Sequence, residues 1–441
     1  MTEPDLPGAT PDQSEADGGQ PIAGRERLVS LDFIRGVAVL GILFANITAF
    51  AHPSLAYGWP GALPGGGDTA DRWIWLVQLV AVDGKFRGLF SLLFGAGLAL
   101  FVDRARARGG SAGLQLRRLL LLAGFGLAHF YLLFTGDILF LYAVSGLVAL
   151  SFVDWSPRKL FWLAIAWYLL LTGLQALALS TTAALEIMPA LREAAPGDWA
   201  QVQAGWQAQL AGAEAQRAVM MGGSPAQIVA YRFAEQSSLL TAYVYLAFID
   251  TIPLLLLGMA LYRSGFFSGG MERTKMRRWA WAGVVSGAAA TLALGLWTMR
   301  LGFPPQLTSF IANGATALPR LPMVLGLAAL LTLWAPHATA TWLGARLIAA
   351  GRMAFSNYIC TSLLMALVFQ GWAGGLYGTM HRADLLLVVA LGWAVMLAWS
   401  QPWLARFRYG PLEWLWRCLT YGRLFPFRRR ETPLATASNS H

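Results

Sequence analysis

The chain has 441 residues, of which 56% are apolar and only 13% charged, about half the charged share of an ordinary globular protein. Mean hydropathy is +0.52. With 33 basic and 23 acidic side chains it cannot clothe a soluble globule, and with only Cys360 and Cys418 it is no disulfide scaffold. What remains is an all-α polytopic membrane protein.

Residues 1–24, rich in Pro, Gly, Asp, Glu and Gln, read as a disordered tail. The opening Met1-Thr2-Glu3-Pro4-Asp5 lacks the basic stretch of a signal peptide, so the first apolar run, from Leu28, is expected to be a retained span. Apolar segments follow at 28–50, 86–103, 115–134, 137–153, 160–180, 236–262, 279–299, 321–336, 350–371 and 384–401. Residues 71–83 are expected as an interfacial or re-entrant helix leading into the next span; a full crossing is the alternative. Ten crossings with both termini cytoplasmic put most Lys and Arg inside, against Arg72, Arg192, Arg217, Arg232, Arg300, Arg320 and Arg382 outside. The net charge of +10 therefore reads as topology and contact with anionic lipid. Without a basic, aromatic-interleaved soluble domain, nucleic acid is not an expected partner.

This count divides the chain into a bundle at 25–180, an extracytoplasmic segment at 181–235, a second membrane unit at 236–424 and a basic, polar tail at 425–441. The Ala/Gln-rich run 199–219 reads as an amphipathic helix, either a lid over an outward cavity or a solvent-facing cap. Residues 403–420 read as an amphipathic helix along the inner leaflet, with Arg406, Arg408 and Arg417 at lipid phosphates. A homodimer is an ordinary expectation that composition does not decide.

Ionisable side chains inside spans are costly unless they face protein or water. Asp32 and Arg35, three residues apart, share a helix face. Asn46 lies about three turns further along it. Gly36 and Gly41 permit close helix approach, and Gly95-Ala96-Gly97 forms a second small-residue patch. Asp83, Lys85 and Arg87 sit between apolar halves, as a binding site or an interfacial turn. Arg117 and Arg118 open the third crossing. His129 near its end and Asp137 at the start of the next come to one depth, because the turn between them is short. The pair reads as a general base or as a buried structural contact, with no nucleophile evident beside it. Asp250, just before Pro253, points to a broken helix lining a cavity. Arg352, Ser356, Asn357 and Tyr358 form a polar stripe facing that cavity or joining helices. The five histidines and two cysteines show no metal-binding spacing, so no metal is expected.

RLVSLDFIRGVAVLGILFAN at 27–46, GKFRGLFSLLFGAGL at 84–98 and HFYLLFTGDILFLYAVSG at 129–146 resemble the YeiB-like bacterial membrane proteins. GRMAFSNYICTSLL at 351–364 and FRYGPLEWLWRCLTYG at 407–422 resemble their C-terminal domain, DUF418. The resemblance implies a multi-pass protein of the bacterial cytoplasmic (inner) membrane. The N-terminal part is further similar to transmembrane acyltransferases of the heparan-glucosaminide acetyltransferase and acyltransferase-3 types. That similarity implies acyl-CoA as a cytoplasmic co-substrate, held by Arg35 with Asp32, Arg117 and Arg118. Asn46, His129 and Asp137 are then implied near the outer mouth. The chain departs from the acyltransferase-3 pattern, whose catalytic His lies where Asn46 stands. In the heparan-acetyltransferase type an Asn there precedes the active His, so His52 or His129 is the implied replacement.

Three functions are compatible with these residues. One is acyl transfer to an extracytoplasmic glycan or lipid headgroup, with His129 as base and Asn46 as hydrogen-bond donor. The others are transport of a small anion or polar metabolite, and a non-catalytic membrane scaffold.

Overall fold

The computed structural model describes residues 22–107, 113–268 and 271–429, with side chains from Val29 onward. Of the expected tails, 1–21 and 430–441 lie outside the described residues, whereas 22–24 are helical and 425–429 are described without helix. Those described are helical apart from turns and one antiparallel bridge, Phe407 with Arg428.

Helix α1 spans Ile22–Ala51, α2 Ser54–Gly58, α3 Thr69–Ala81, α4 Lys85–Ala107, α5 Gly113–Leu132, α6 Leu139–Leu150 and α7 Pro157–Ile187. Outside the apolar stretches come α8 (Pro189–Ala194), α9 (Pro196–Gly222) and α10 (Pro225–Glu235). The second half holds α11 (Leu239–Leu246), α12 (Ile252–Arg263), α13 (Arg273–Arg300), α14 (Pro305–Phe310) and α15 (Ala317–Ala338). Then follow α16 (Trp342–Arg352), α17 (Ala354–Phe369), α18 (Arg382–Arg406) and α19 (Pro411–Tyr421). The sequence marks many of the starts. Ser156 caps α7 ahead of Pro157, Ser224 and Gln227 form a capping box on α10, and Thr341 caps α16.

Each expected apolar segment falls largely on a helix. Seven helices are long and apolar enough to cross a membrane, or eight if the pair α16–α17, bent by 86° at Met353, is one span. The segment expected as a single span over 350–371 therefore begins at a sharp bend. Helix α3 leads straight into α4, the two forming one apolar stretch of 39 residues. At 1.5 Å per residue that is about 60 Å, twice the hydrocarbon thickness, so part of it lies beyond the lipid core. The break expected near Pro253 is a π-helical turn, Ala247–Thr251; a second, Ile311–Ala315, precedes α15.

The stretch α11–α12 is 72% buried, whereas α7 and α13 are 22% buried, which makes the first the centre of the bundle and the others its lipid-facing rim. One core draws on Phe33 of α1, Leu92 of α4, Tyr142 of α6, Leu255 of α12 and Val324 of α15, so the two halves of the chain pack as one body. Glycine sets how closely helices meet. A Cβ on Gly36 of α1 would stand 1.9 Å from the Leu347 carbonyl oxygen of α16, and one on Gly351 of α16 would stand 1.8 Å from the Asp32 carbonyl oxygen.

The segment expected at 403–420 is not one helix. Helix α18 continues to Arg406, the chain extends through Phe407–Gly410, and α19 starts anew at Pro411. Backbone bonds from Arg408 to Phe427 and from Arg429 to Arg406 hold the break. The Ala/Gln-rich run is the helix α9, largely exposed, docked by Gln216 on the Ser54 amide (3.1 Å) and by Trp206 on Trp59.

Candidate functional site

His129 occupies the last turn of α5, and the chain reverses at once. Both Leu133 and Phe134 amides return to the His129 carbonyl at 2.9 Å. Gly126 lets α6 begin against α5, since a Cβ there would meet the Phe140 nitrogen at 2.3 Å. Asp137 is pinned by the Phe140 amide, which donates to Oδ2 at 2.6 Å, leaving Oδ1 2.7 Å from His129 Nδ1. On the other side of the ring, Nε2 lies 2.8 Å from Oγ of Ser362, on α17. His129, Asp137 and Ser362 are all buried. With Asp137 as a carboxylate, Nδ1 carries the proton and Nε2 accepts from the Ser362 hydroxyl. The alternative acceptor for that hydroxyl, the Tyr358 carbonyl, is further away at 3.2 Å.

The turn carrying this chain is braced from three sides. Buried Arg232 of α10 donates to the carbonyls of Tyr131 (3.2 Å) and Leu133 (2.9 Å), which end α5. Tyr243 of α11 donates to the Thr135 carbonyl. Tyr358 Oη receives the Ile138 amide at 3.2 Å and donates to the Gly136 carbonyl at 3.3 Å. The 181–235 segment thus fixes the site through α10.

Below Tyr358 lies a cavity of about 220 Å³, lined by Arg35, Arg118, Arg352, Gln115 and Glu413, with Phe90, Phe94, Tyr142 and Trp416 as apolar wall. Above it a chamber of about 10 Å³ is lined by Asn46, Phe50, Thr361 and Ser362. Val39, Ile42 and Tyr358 line both, so these side chains are the wall between the two spaces. Arg35 pairs with Asp32 at 2.6 Å. The Arg118 guanidinium stacks between Trp416 (4.2 Å) and Phe101 (4.8 Å). Among the described residues, neither Arg118 nor Arg352 forms a salt bridge. The Glu413 carboxylate faces the start of α17 and accepts from Phe355 N (2.8 Å), Ser356 N (3.0 Å) and Ser356 Oγ (2.5 Å). Burial pushes its carboxyl above the ordinary value, despite those donors. Unpaired guanidinium charge therefore prevails in the cavity and suits an anion.

The structure places Arg35, Arg118 and Arg352 around the larger space and Asn46 around the smaller, with Asp32 paired to Arg35; His129 and Asp137 line neither and reach the small chamber through Ser362. Arg117 is exposed and lines neither space. His52 is turned elsewhere: a ring nitrogen meets the Met380 carbonyl at 2.9 Å, and burial pushes the imidazole down to about 4. Asn357 joins helices, donating to the Ala350 carbonyl and Ser400 Oγ (both 3.1 Å) and accepting from Trp399 (2.8 Å).

Asp83, Lys85, Arg87 and Asp250 belong to a second polar cluster. Arg87 grips Asp250 with two bonds, 2.7 and 2.6 Å, and Arg320 approaches the same carboxylate at 3.4 Å. Asp83 accepts from Tyr57 (3.3 Å), and Lys85 Nζ donates to the Leu79 carbonyl (2.5 Å). Asp250 stands on one π-helical turn, and the other supplies the Ala312 carbonyl to Arg320 at 3.5 Å. Asp68, Asp71 and His381 also come close enough to hold a metal ion. Their oxygens are engaged in helix capping: Asp68 on the Asp71 amide, Asp71 on the amides of Asp68 and Arg382.

Sequence reasoning missed Ser362 as a partner of His129, Arg320 as a partner of Asp250 and Glu413 as a partner of Ser356. The available signal for Ser362 was its place one helical turn after Tyr358, on the face that already bears a polar stripe.

A family model described as a protein of unknown function (DUF418) matches residues 261–423. The chain is 30% identical over 400 residues to Uncharacterized protein YeiB of Escherichia coli (strain K12), covering 90% of this chain and 96% of that protein. It is also 30% identical over 422 residues to Uncharacterized protein YxaH of Bacillus subtilis (strain 168), covering 91% and 96%. No solved structure matches it. Full-length similarity of this kind, together with the apolar helices, makes the chain a member of the YeiB-like, DUF418-containing family of multi-pass proteins of the bacterial inner membrane.

Proposed function

We propose that the protein moves an acyl group from cytoplasmic acyl-CoA to a hydroxyl or amine on the far side of the membrane, on a glycan or lipid headgroup. The observation that carries this reading is one alignment of groups. An arginine-lined cavity leads to Tyr358, and beyond that ring His129 sits between Asp137 and Ser362. Arg35, Arg118 and Arg352 would bind the donor's phosphates by charge-assisted hydrogen bonds, and the aromatic wall would take the acyl-pantetheine arm. His129 Nε2 removes a proton during attack on the thioester, a role worth about 10²–10⁴ in rate. Asn46, whose amide has no hydrogen-bond partner among the described residues, donates to the developing oxyanion, worth about 10²–10³. The likeness of the N-terminal blocks to transmembrane acyltransferases supports the same chemistry. Ten crossings with both termini cytoplasmic, the arrangement that best satisfies the distribution of basic residues, put the arginine end of the cavity on the donor's side.

Labelled acetyl-CoA binding and CoA release, measured in nanodiscs with candidate acceptors, test the reading. Arg35→Ala should weaken binding at least tenfold. His129→Ala should keep binding and lose release. Binding that Arg35→Ala leaves unchanged, or no release by wild type with any acceptor, overturns the proposal.

One observation favours transport instead: the charged cluster of Arg87, Asp250 and Arg320 on two π-helical turns, a local geometry common at functional sites. Solute uptake by proteoliposomes that Asp250→Asn abolishes, with no CoA chemistry, would select that reading.

A further inference from the structure

We propose that Ser362 is a covalent nucleophile that carries the acyl group as an oxyester between donor and acceptor. The inference rests on the acyl-transfer reading and replaces direct attack by the acceptor with two successive transfers.

The geometry is that of an activated hydroxyl. Ser362 Oγ lies 2.8 Å from His129 Nε2, and Nδ1 of the same ring lies 2.7 Å from Asp137 Oδ1. Nucleophile, base and orienting carboxylate stand in the order that lets the ring take the serine proton while the carboxylate steadies the resulting imidazolium. Three polar side chains from α5, the α5–α6 turn and α17 are buried together, although apolar residues would join these helices without any desolvation cost.

Ser362 also faces the space where the reaction needs it. It lines the small chamber with Asn46, the candidate oxyanion donor, while Tyr358, one helical turn earlier, separates that chamber from the arginine-lined cavity.

The steps balance. Ser362 Oγ forms a bond to the thioester carbonyl carbon as its proton passes to His129 Nε2, and the carbonyl electron pair moves onto oxygen beside Asn46. Collapse of this intermediate breaks the C–S bond, and the CoA sulfur leaves with the proton from His129. In the second half an acceptor hydroxyl or amine attacks the ester carbon and gives its proton to His129. The C–Oγ bond then breaks, and Ser362 recovers a proton. Nothing is oxidised or reduced.

The test uses the full chain in nanodiscs with two probes, [14C]acetyl-CoA and a small alkyl fluorophosphonate. Without acceptor, wild type should take up denaturation-stable acetyl label, at about one per chain, on the peptide containing Ser362, and should also react there with the fluorophosphonate. Ser362→Ala should lose both labels and at least a thousandfold of transfer, with its melting temperature kept. Ser362→Cys should trap a thioester that neutral hydroxylamine cleaves, a signature no structural hydroxyl would give. His129→Ala should lose both labels with Ser362 intact. If Ser362→Ala transfers acetyl groups within a few fold of wild type, the covalent step is wrong and acyl transfer stands. If the fluorophosphonate marks Ser362 in a His129-dependent way but acetyl-CoA is neither bound nor consumed, the nucleophile stands and the donor assignment falls. If neither probe marks Ser362, the inference is overturned.

Discussion

Glu413 of α19 reaches Ser356 of α17, accepting its hydroxyl at 2.5 Å and its amide at 3.0 Å. The 86° bend between α16 and α17 leaves the first amides of α17 without helical partners. A carboxylate from a helix far along the chain supplies the acceptors. Removing it strands two buried backbone donors. Glu413→Ala should cost about 2 kcal/mol, measured as a fall in melting temperature in detergent. Glu413→Gln keeps an acceptor for both amides and should lose less than half of that. Equal melting temperatures for the Ala variant and wild type would refute the capping role.

Gly95 and Gly97 look interchangeable in the sequence and differ in the structure. A Cβ on Gly95 would lie 2.0 Å from the Leu255 carbonyl oxygen of α12, a backbone atom that cannot step aside. Gly97 has nothing within 4 Å and lines the large cavity. Gly95→Ala should therefore cost about 1–3 kcal/mol, whereas Gly97→Ala should be silent. Gly97→Leu should fold but fill the cavity, lowering acetyl-CoA binding at least tenfold. Thermal stability and binding, measured on the same three preparations, separate packing from occupancy. A fully binding Gly97→Leu variant would remove the cavity from the donor's path.

Much of this architecture is legible in the chain itself. Spans announce themselves because continuous hydrocarbon has few uses outside a bilayer. The meeting of His129 and Asp137 is legible because only a short turn separates them. Ser362 is not, since it lies 233 positions from His129 and its contact depends on how α17 packs against α5. The same limit hides Arg320 from Asp250. His52 misleads for the opposite reason: closeness to Asn46 in sequence says little once α1 has ended, and the ring turns to the Met380 carbonyl. The helix expected over 403–420 fails at Phe407–Gly410, where an aromatic and basic composition conceals an extended break.

Arg87 and Asp250 join α4 to the π-helical turn before α12 with two hydrogen bonds to a carboxylate that is almost fully buried. Removing one partner leaves the other charge buried and unmatched, which is far worse than losing a surface pair. Asp250→Asn should cost about 3–5 kcal/mol, with the Arg87→Gln, Asp250→Asn double variant less damaged than the two single effects added together. Melting temperatures around that double-mutant cycle give the coupling directly. Simple additivity would show that the pair does not act as a unit.

His381 precedes α18 with its Nδ1 2.7 Å from Asp71, and that hydrogen bond raises the imidazole above its ordinary value of 6.5. The folded chain thus holds a proton that the unfolded chain gives up more readily. The stabilisation is fully present below pH 6.5 and is lost as pH rises through the higher folded value. Half exposure of the ring keeps the effect small, so it is read as a difference between profiles. Wild type should lose melting temperature between pH 6 and pH 9 relative to His381→Asn, which has nothing to deprotonate there. The two curves should converge at the alkaline end, apart from the neutral contacts of the ring. Parallel curves across the whole range would mean that the Asp71 contact does not depend on the charge of His381.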